Sequence, residues 1–141
     1  GAISSVAVTT GNLSQFAATT SAQFAGVISD EIGTGNVILS DWATSAQTAS
    51  YTLVLTDKYK IVEISNASAN NLTVPLNSSV AFPVGTEINI VQTGAGQTTV
   101  VATGGVTING TPGLKLRAQW SAATLIKRAT DTWVLVGDLS A

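Results

Sequence analysis

The sequence predicts a mostly β protein, with an antiparallel β-sandwich or barrel of about eight strands over residues 51–141. Three observations carry that prediction. From Tyr51 onward apolar residues recur at every second position, the period of a strand with one buried face. Clusters of Asn, Asp, Gly and Pro cut these runs into short lengths. The hydrophobic share is 45% but the charged share only 10%, against roughly 25% charged residues in an ordinary soluble domain. The chain can therefore bury a core, yet carries few charges to keep an isolated monomer soluble. Its surface is expected to be covered by other chains or hydrated by Thr, Ser and Asn.

Residues 1–50 read as a separate arm, helix and linker, a region for trimerisation or attachment. Ile3, Val6 and Val8 alternate with small polar residues, which suits an extended arm. Leu13, Phe16, Ala17, Thr20, Phe24, Val27 and Ile28 then fall on one helical face. Thr20-Ser21-Ala22-Gln23 matches a capping box, so the spacing predicts a short helix from Ser21 to about Ser29. Gly33-Thr34-Gly35 supplies its C-terminal stop. After Val37-Ile38-Leu39, the small-residue stretch to Ser50 reads as linker, with Trp42 alone inside it.

In the β domain, Tyr51, Leu53 and Leu55 form the first alternating run. Leu72, Val74 and Leu76 form another, followed by Ile88 with Ile90 and Leu114 with Leu116. The final hairpin, ATLIKRATDTWVLVGDL, is apolar on both faces. Such a strand is either central in a sandwich or covered by a neighbouring chain. No repeat of fixed period stands out, which speaks against a solenoid.

The residue inventory excludes several chemistries. Cysteine, methionine and histidine are absent, so disulfides and metal sites built on His or Cys are not expected. A net charge of −2 argues against nucleic-acid binding, and no apolar run reaches the about 18 residues of a membrane span. There is no signal-peptide pattern, and the opening on Gly1 rather than Met suggests a portion of something longer. Gly94-Ala95-Gly96-Gln97 follows a strand but precedes another, so it reads as a hairpin turn rather than a phosphate loop. Asp57 and Asp131 read as solvated turn acids. No acid pair or activated serine suggests catalysis, and no cofactor is expected. Trp120 and Trp133 have apolar neighbours, which favours core or interface packing over a sugar-stacking platform. Trp42 is the better candidate for an inter-chain contact. Lys115 and Arg117 share one outward strand face, as edge protection or as contacts to an anionic glycan.

Two stretches carry a resemblance. SAQFAGVISDEIGTG is similar to a segment recurring in tailed-bacteriophage tail fibres and related virion appendages, although leucine is common there where Phe24 stands, and threonine where Ile32 stands. YTLVLTDKYKIVEISN, PVGTEINIVQTGAGQTTV and ATLIKRATDTWVLVGDLSA resemble the small β domain that ends many such fibres. The resemblance implies a virion protein, a homotrimer with its short helix near a threefold axis and the β domain as a knob.

The expected function is that of a non-enzymatic tail fibre located in the virion, whose partners are its own copies, other virion proteins and a host-surface polysaccharide. A capsid-bound head fibre or decoration protein is the alternative, and a fragment of a depolymerase tailspike a third. The expected trimer contacts are Leu13, Phe16, Phe24, Val27, Ile28 and Trp42, with Phe24→Asp breaking the trimer. The candidate glycan contacts are Trp120, Lys115 and Arg117.

Overall fold

Much of the alternation of apolar and polar side chains becomes strand within residues 43–141, the part of the chain described by the computed structural model. The strands are β1 (Thr44–Gln47), β2 (Tyr51–Thr52), β3 (Ile61–Ile64), β4 (Asn70–Val74), β5 (Glu87–Gln92) and β6 (Thr98–Ala102). They continue as β7 (Thr107–Gly110), β8 (Lys115–Leu116), β9 (Ala122–Ala129), β10 (Thr132–Gly137) and β11 (Leu139–Ser140). A 3-10 turn, Leu55–Asp57, is the one helical element among the described residues.

Two sheets result. The six-stranded sheet has the order β1-β3-β5-β9-β10-β7, and the five-stranded sheet β11-β8-β6-β4-β2. Up to β6 the chain alternates between them, laying each new strand parallel on the last. β1, β3 and β5 stack in one sheet, and β2, β4 and β6 in the other. This is a β-solenoid-like winding. The end of the chain then closes it with antiparallel pairs, β9 against β5 and β10, and β8 against β6 and β11.

The protein is mostly β, as the periodicity predicts, but the expected all-antiparallel sandwich is corrected to this mixed, coiled arrangement. The coils are unequal in length. Thr44 lies beside Ile61 and Ile61 beside Asn89, while Tyr51 lies beside Leu72 and Asn70 beside Thr98. Unequal coils leave no fixed period, so the missing repeat does not exclude a solenoid. Residues 44–47 are also corrected from linker to strand: their small side chains suit an edge strand, and they pair with β3 along their whole length.

The core lies between the sheets. Val62, Ile64, Leu72, Ile88, Ile90 and Leu125 are fully buried, as period-two alternation requires. Trp133 joins them, its ring edge-on to Phe82 with centroids 5.6 Å apart. Leu55 departs from the expected alternation: it is exposed in the 3-10 turn, where the strand period has ended.

The reading of Asp57 as solvated is overturned. Its carboxylate is buried and accepts from Tyr51 Oη and Val54 N, both at 2.9 Å. It thereby closes the turn between β2 and β3. Burial, and then the hydrogen bond to Asp57, raise the Tyr51 phenol above its ordinary pKa. Lys127 is buried as well. Its ammonium donates to Asn77 Oδ1 and to Phe82 O at 2.7 Å, and lies over the Trp133 ring. Burial lowers its pKa, an effect that nearby Asp131 opposes. The carboxylate of Asp131 accepts from Asn77 N at 2.7 Å, so these contacts tie the loop after β4 to the β9–β10 hairpin.

Candidate binding site

The Gly94–Gln97 stretch is not a hairpin turn. β5 and β6 lie in different sheets, and the stretch between them is a corner stacked on the corner below. Gly94 N donates to Ile64 O at 3.0 Å, and Gly96 N to Asn66 O at 2.8 Å. A Cβ on Gly94 would overlap the Asn66 backbone, and one on Gly96 the Ser68 backbone. Close approach of two backbones is why glycine stands at both positions.

Inside the corner the buried polar groups satisfy one another. Asn70 Oδ1 accepts from Thr98 Oγ1 at 2.8 Å, Asn70 Nδ2 donates to Ser68 O at 3.1 Å, and Gln92 Oε1 accepts from Thr98 N at 2.9 Å. Gln92 Nε2 completes the set with Gly94 O at 3.2 Å.

Beside this corner runs a different kind of turn, Ala118 to Ser121. Ser121 N donates to Ala118 O at 3.0 Å, and Ala118 N to Ser121 Oγ at 3.0 Å. Gln92 N donates to Ser121 O, while Gln92 O accepts from Trp120 N at 2.7 Å. Two residues thus oppose one, a β-bulge that ends the β5–β9 ladder. Trp120 has φ 69, a conformation in which glycine is the usual occupant of a bulge. Its side chain is nevertheless 70% exposed. Trp120 is therefore not a core residue: Leu116, Ala123 and Leu125 nearby in sequence are buried, while Ala118 and Ala122 are exposed with it.

The turn is held from both sides. Gln119 Nε2 donates to Thr93 O at 2.8 Å. Asp138 accepts from Arg117 Nε at 2.7 Å, from Arg117 Nη2 at 2.9 Å and from Ser121 Oγ at 2.6 Å. The Arg117 hydrogen bond, followed by that of Ser121, holds the Asp138 carboxyl below its ordinary pKa, and Asp138 raises that of the guanidinium.

Next to the turn, the outer face of the six-stranded sheet carries a groove of about 320 Å³. It is lined by Ile61, Asn89, Val91, Ala122, Thr124 and Val136, together with Ile90, Ala123 and Gly137. Val91 and Ala122 face each other at the end of the ladder, two residues from Trp120. Thr124 Oγ1 donates to Asn89 Oδ1 at 2.8 Å.

Of the three candidate glycan contacts, the structure places Trp120 and Arg117 at this turn and Lys115 elsewhere. Lys115 is exposed on β8, in the five-stranded sheet, with its ammonium 3.2 Å from Ala141 O. The expected trimer contacts Leu13, Phe16, Phe24, Val27, Ile28 and Trp42 lie outside the described residues. Sequence reasoning missed Asp138, Ser121 and Asn89. Nothing local marks Asp138, whose partner Arg117 is 21 residues away. Val136 could have been found, since the doubly apolar hairpin already pointed to an uncovered face. Among the described residues, no helix is long and apolar enough to cross a membrane, and no three His, Cys, Asp or Glu residues gather as metal ligands.

No protein-family model, curated protein or solved structure matches the chain.

Proposed function

We propose that this protein is a structural subunit of a bacteriophage virion, a homotrimeric tail fibre whose β domain attaches to a host-surface polysaccharide. The observation that carries the attachment reading is Trp120. A large aromatic ring is held out in water on a backbone conformation that disfavours it, by hydrogen bonds on either side of the turn. Strain of this kind persists where the surroundings impose it, and it collects at binding sites. An aromatic face in water is a stacking surface for sugar rings, and three copies on one fibre would gain by effective concentration. The fibre reading is supported by the resemblance of residues 21–35 and of the β domain to virion appendages, and by the 10% charged share, which suits a chain covered by its own copies.

The test is assembly and location. Sedimentation of the full chain is expected to give three times the 14.3 kDa chain mass, and a monomer would overturn the homotrimer. Antibody labelling of intact particles is expected at the tail. Labelling spread over the capsid shell would instead favour a decoration protein.

A further inference from the structure

The groove and Trp120 together say more about the ligand than the exposed ring alone. The groove floor is uncharged: Ile61, Val91, Ala122 and Val136 are apolar, and Asn89 and Thr124 are neutral. The hydroxyl of Thr124 already occupies Asn89 Oδ1, which leaves the Asn89 amide hydrogens as donors for a ligand oxygen. Charges of both signs stand beyond the groove on the same sheet, with Lys60 preceding Ile61 and Arg128 on the outward face of β9. Glu63 pairs with Val91 across β3–β5, and Glu87 with Ile126 across β5–β9. The one cation of the turn, Arg117, is bound through two nitrogens to Asp138.

An acidic glycan would therefore find no cation in the groove lining, and the guanidinium at the turn is already paired with Asp138. A volume of about 320 Å³ falls at the small end of ligand clefts, which span about 300–1,000 Å³. Apolar walls and a few neutral hydrogen-bonding groups, with an exposed aromatic ring two residues along the chain from Ala122, match the chemistry of a sugar ring. Such a ring has an apolar C–H face and a rim of hydroxyls.

We propose that the outer groove and Trp120 form a binding site for an uncharged saccharide, one ring stacking on the indole and the neighbouring ring accepting from the Asn89 amide. This rests on the host-attachment reading but goes beyond it, because it fixes both the site and the ligand class.

The experiment uses the full chain on a microarray of neutral and acidic bacterial surface polysaccharides, with sedimentation run on every variant. The expected result is binding to uncharged members, weakened about tenfold in Trp120→Ala and partly kept in Trp120→Phe. Thr124→Arg, which fills the groove and adds a charge, should abolish that binding while leaving sedimentation unchanged. Binding confined to acidic members, no binding, or equal binding by Trp120→Ala would overturn the inference. So would a change of oligomeric mass in Trp120→Ala, since the ring would then be contacting a second copy. The fibre reading fails separately, through the mass of the wild-type chain and the labelling of particles.

Discussion

Two turns meet at Gln92 and are built on opposite principles. The Gly94–Gln97 corner is built on two glycines, lies against the coil below and has its buried polar groups closed on one another. The Ala118–Ser121 turn carries the most exposed large apolar side chain described, in a conformation where glycine would be easier. Buried glycines packed on the backbone below, without positive φ, mark the first as scaffold. The second combines imposed backbone strain with an exposed indole, over a buried Ser121, and this combination is what the proposed contact surface rests on. The difference gives a physical ground for the proposed site, whose Trp120 and Arg117 the sequence marks by residue type alone.

The contrast breaks most readily at the scaffold. Gly96→Ala places a methyl group into the backbone of Ser68, which cannot swing away as a side chain tip could. A loss of about 3 kcal/mol is expected, read from the urea midpoint. An unchanged midpoint would mean that the two corners are not stacked. Asn70→Ala should come next, at about 2 kcal/mol. It removes the buried acceptor of Thr98 Oγ1 and the donor to Ser68 O, and a loss below a few tenths would show that water reaches the corner.

These scaffold residues also show where sequence reading reaches its limit. Leu72, Val74, Ile88 and Ile90 are assignable to the core from alternation alone, because a strand's two faces follow from its period. The same holds for the β9–β10 hairpin, whose partners are adjacent in sequence. The partner of β5 is not legible. EINIVQ-TGAGQ-TTVVAT has every local sign of a hairpin, yet Thr98 pairs with Asn70 rather than with Gln92's strand. Turn chemistry reports that the chain bends, and it does not report whether the bend returns to the same sheet. The site divides in the same way. Trp120 and Arg117 are conspicuous by type, while Asp138 and Asn89 matter only through neighbours that the coiling brings to them.

The exposed turn gives the opposite sign. Trp120→Gly should stabilise the protein, by about 1 kcal/mol, because glycine takes φ 69 without the steric cost that a bulky residue pays there. The rise in thermal midpoint should coincide with loss of saccharide binding. A stability gain from deleting a large apolar side chain is hard to explain by any packing role. If Trp120→Gly lowered the midpoint instead, the ring would be contributing contacts and the strain argument would fall.

The smallest effect concerns the brace that holds the turn, and pH separates it from everything else. The folded-state pKa of Asp138 lies below its ordinary value of 3.8, through the hydrogen bonds from Arg117 and Ser121. Its contribution is therefore fully present above about pH 4 and is lost as pH falls through the lower folded-state value. Arg117, whose pKa is raised, keeps its proton throughout this range. The pair is exposed, with 64% and 40% of the two side chains accessible, so salt should weaken the brace. In a Trp42→Phe background the emission anisotropy of Trp120 should drop as the turn loosens below about pH 4, while buried Trp133 provides a constant background until the core unfolds. In Asp138→Asn the turn should already be loose at neutral pH and show no acid step. An identical acid step in that variant would assign the transition to another carboxylate, and the turn would then owe its geometry to the Gln92 bulge alone.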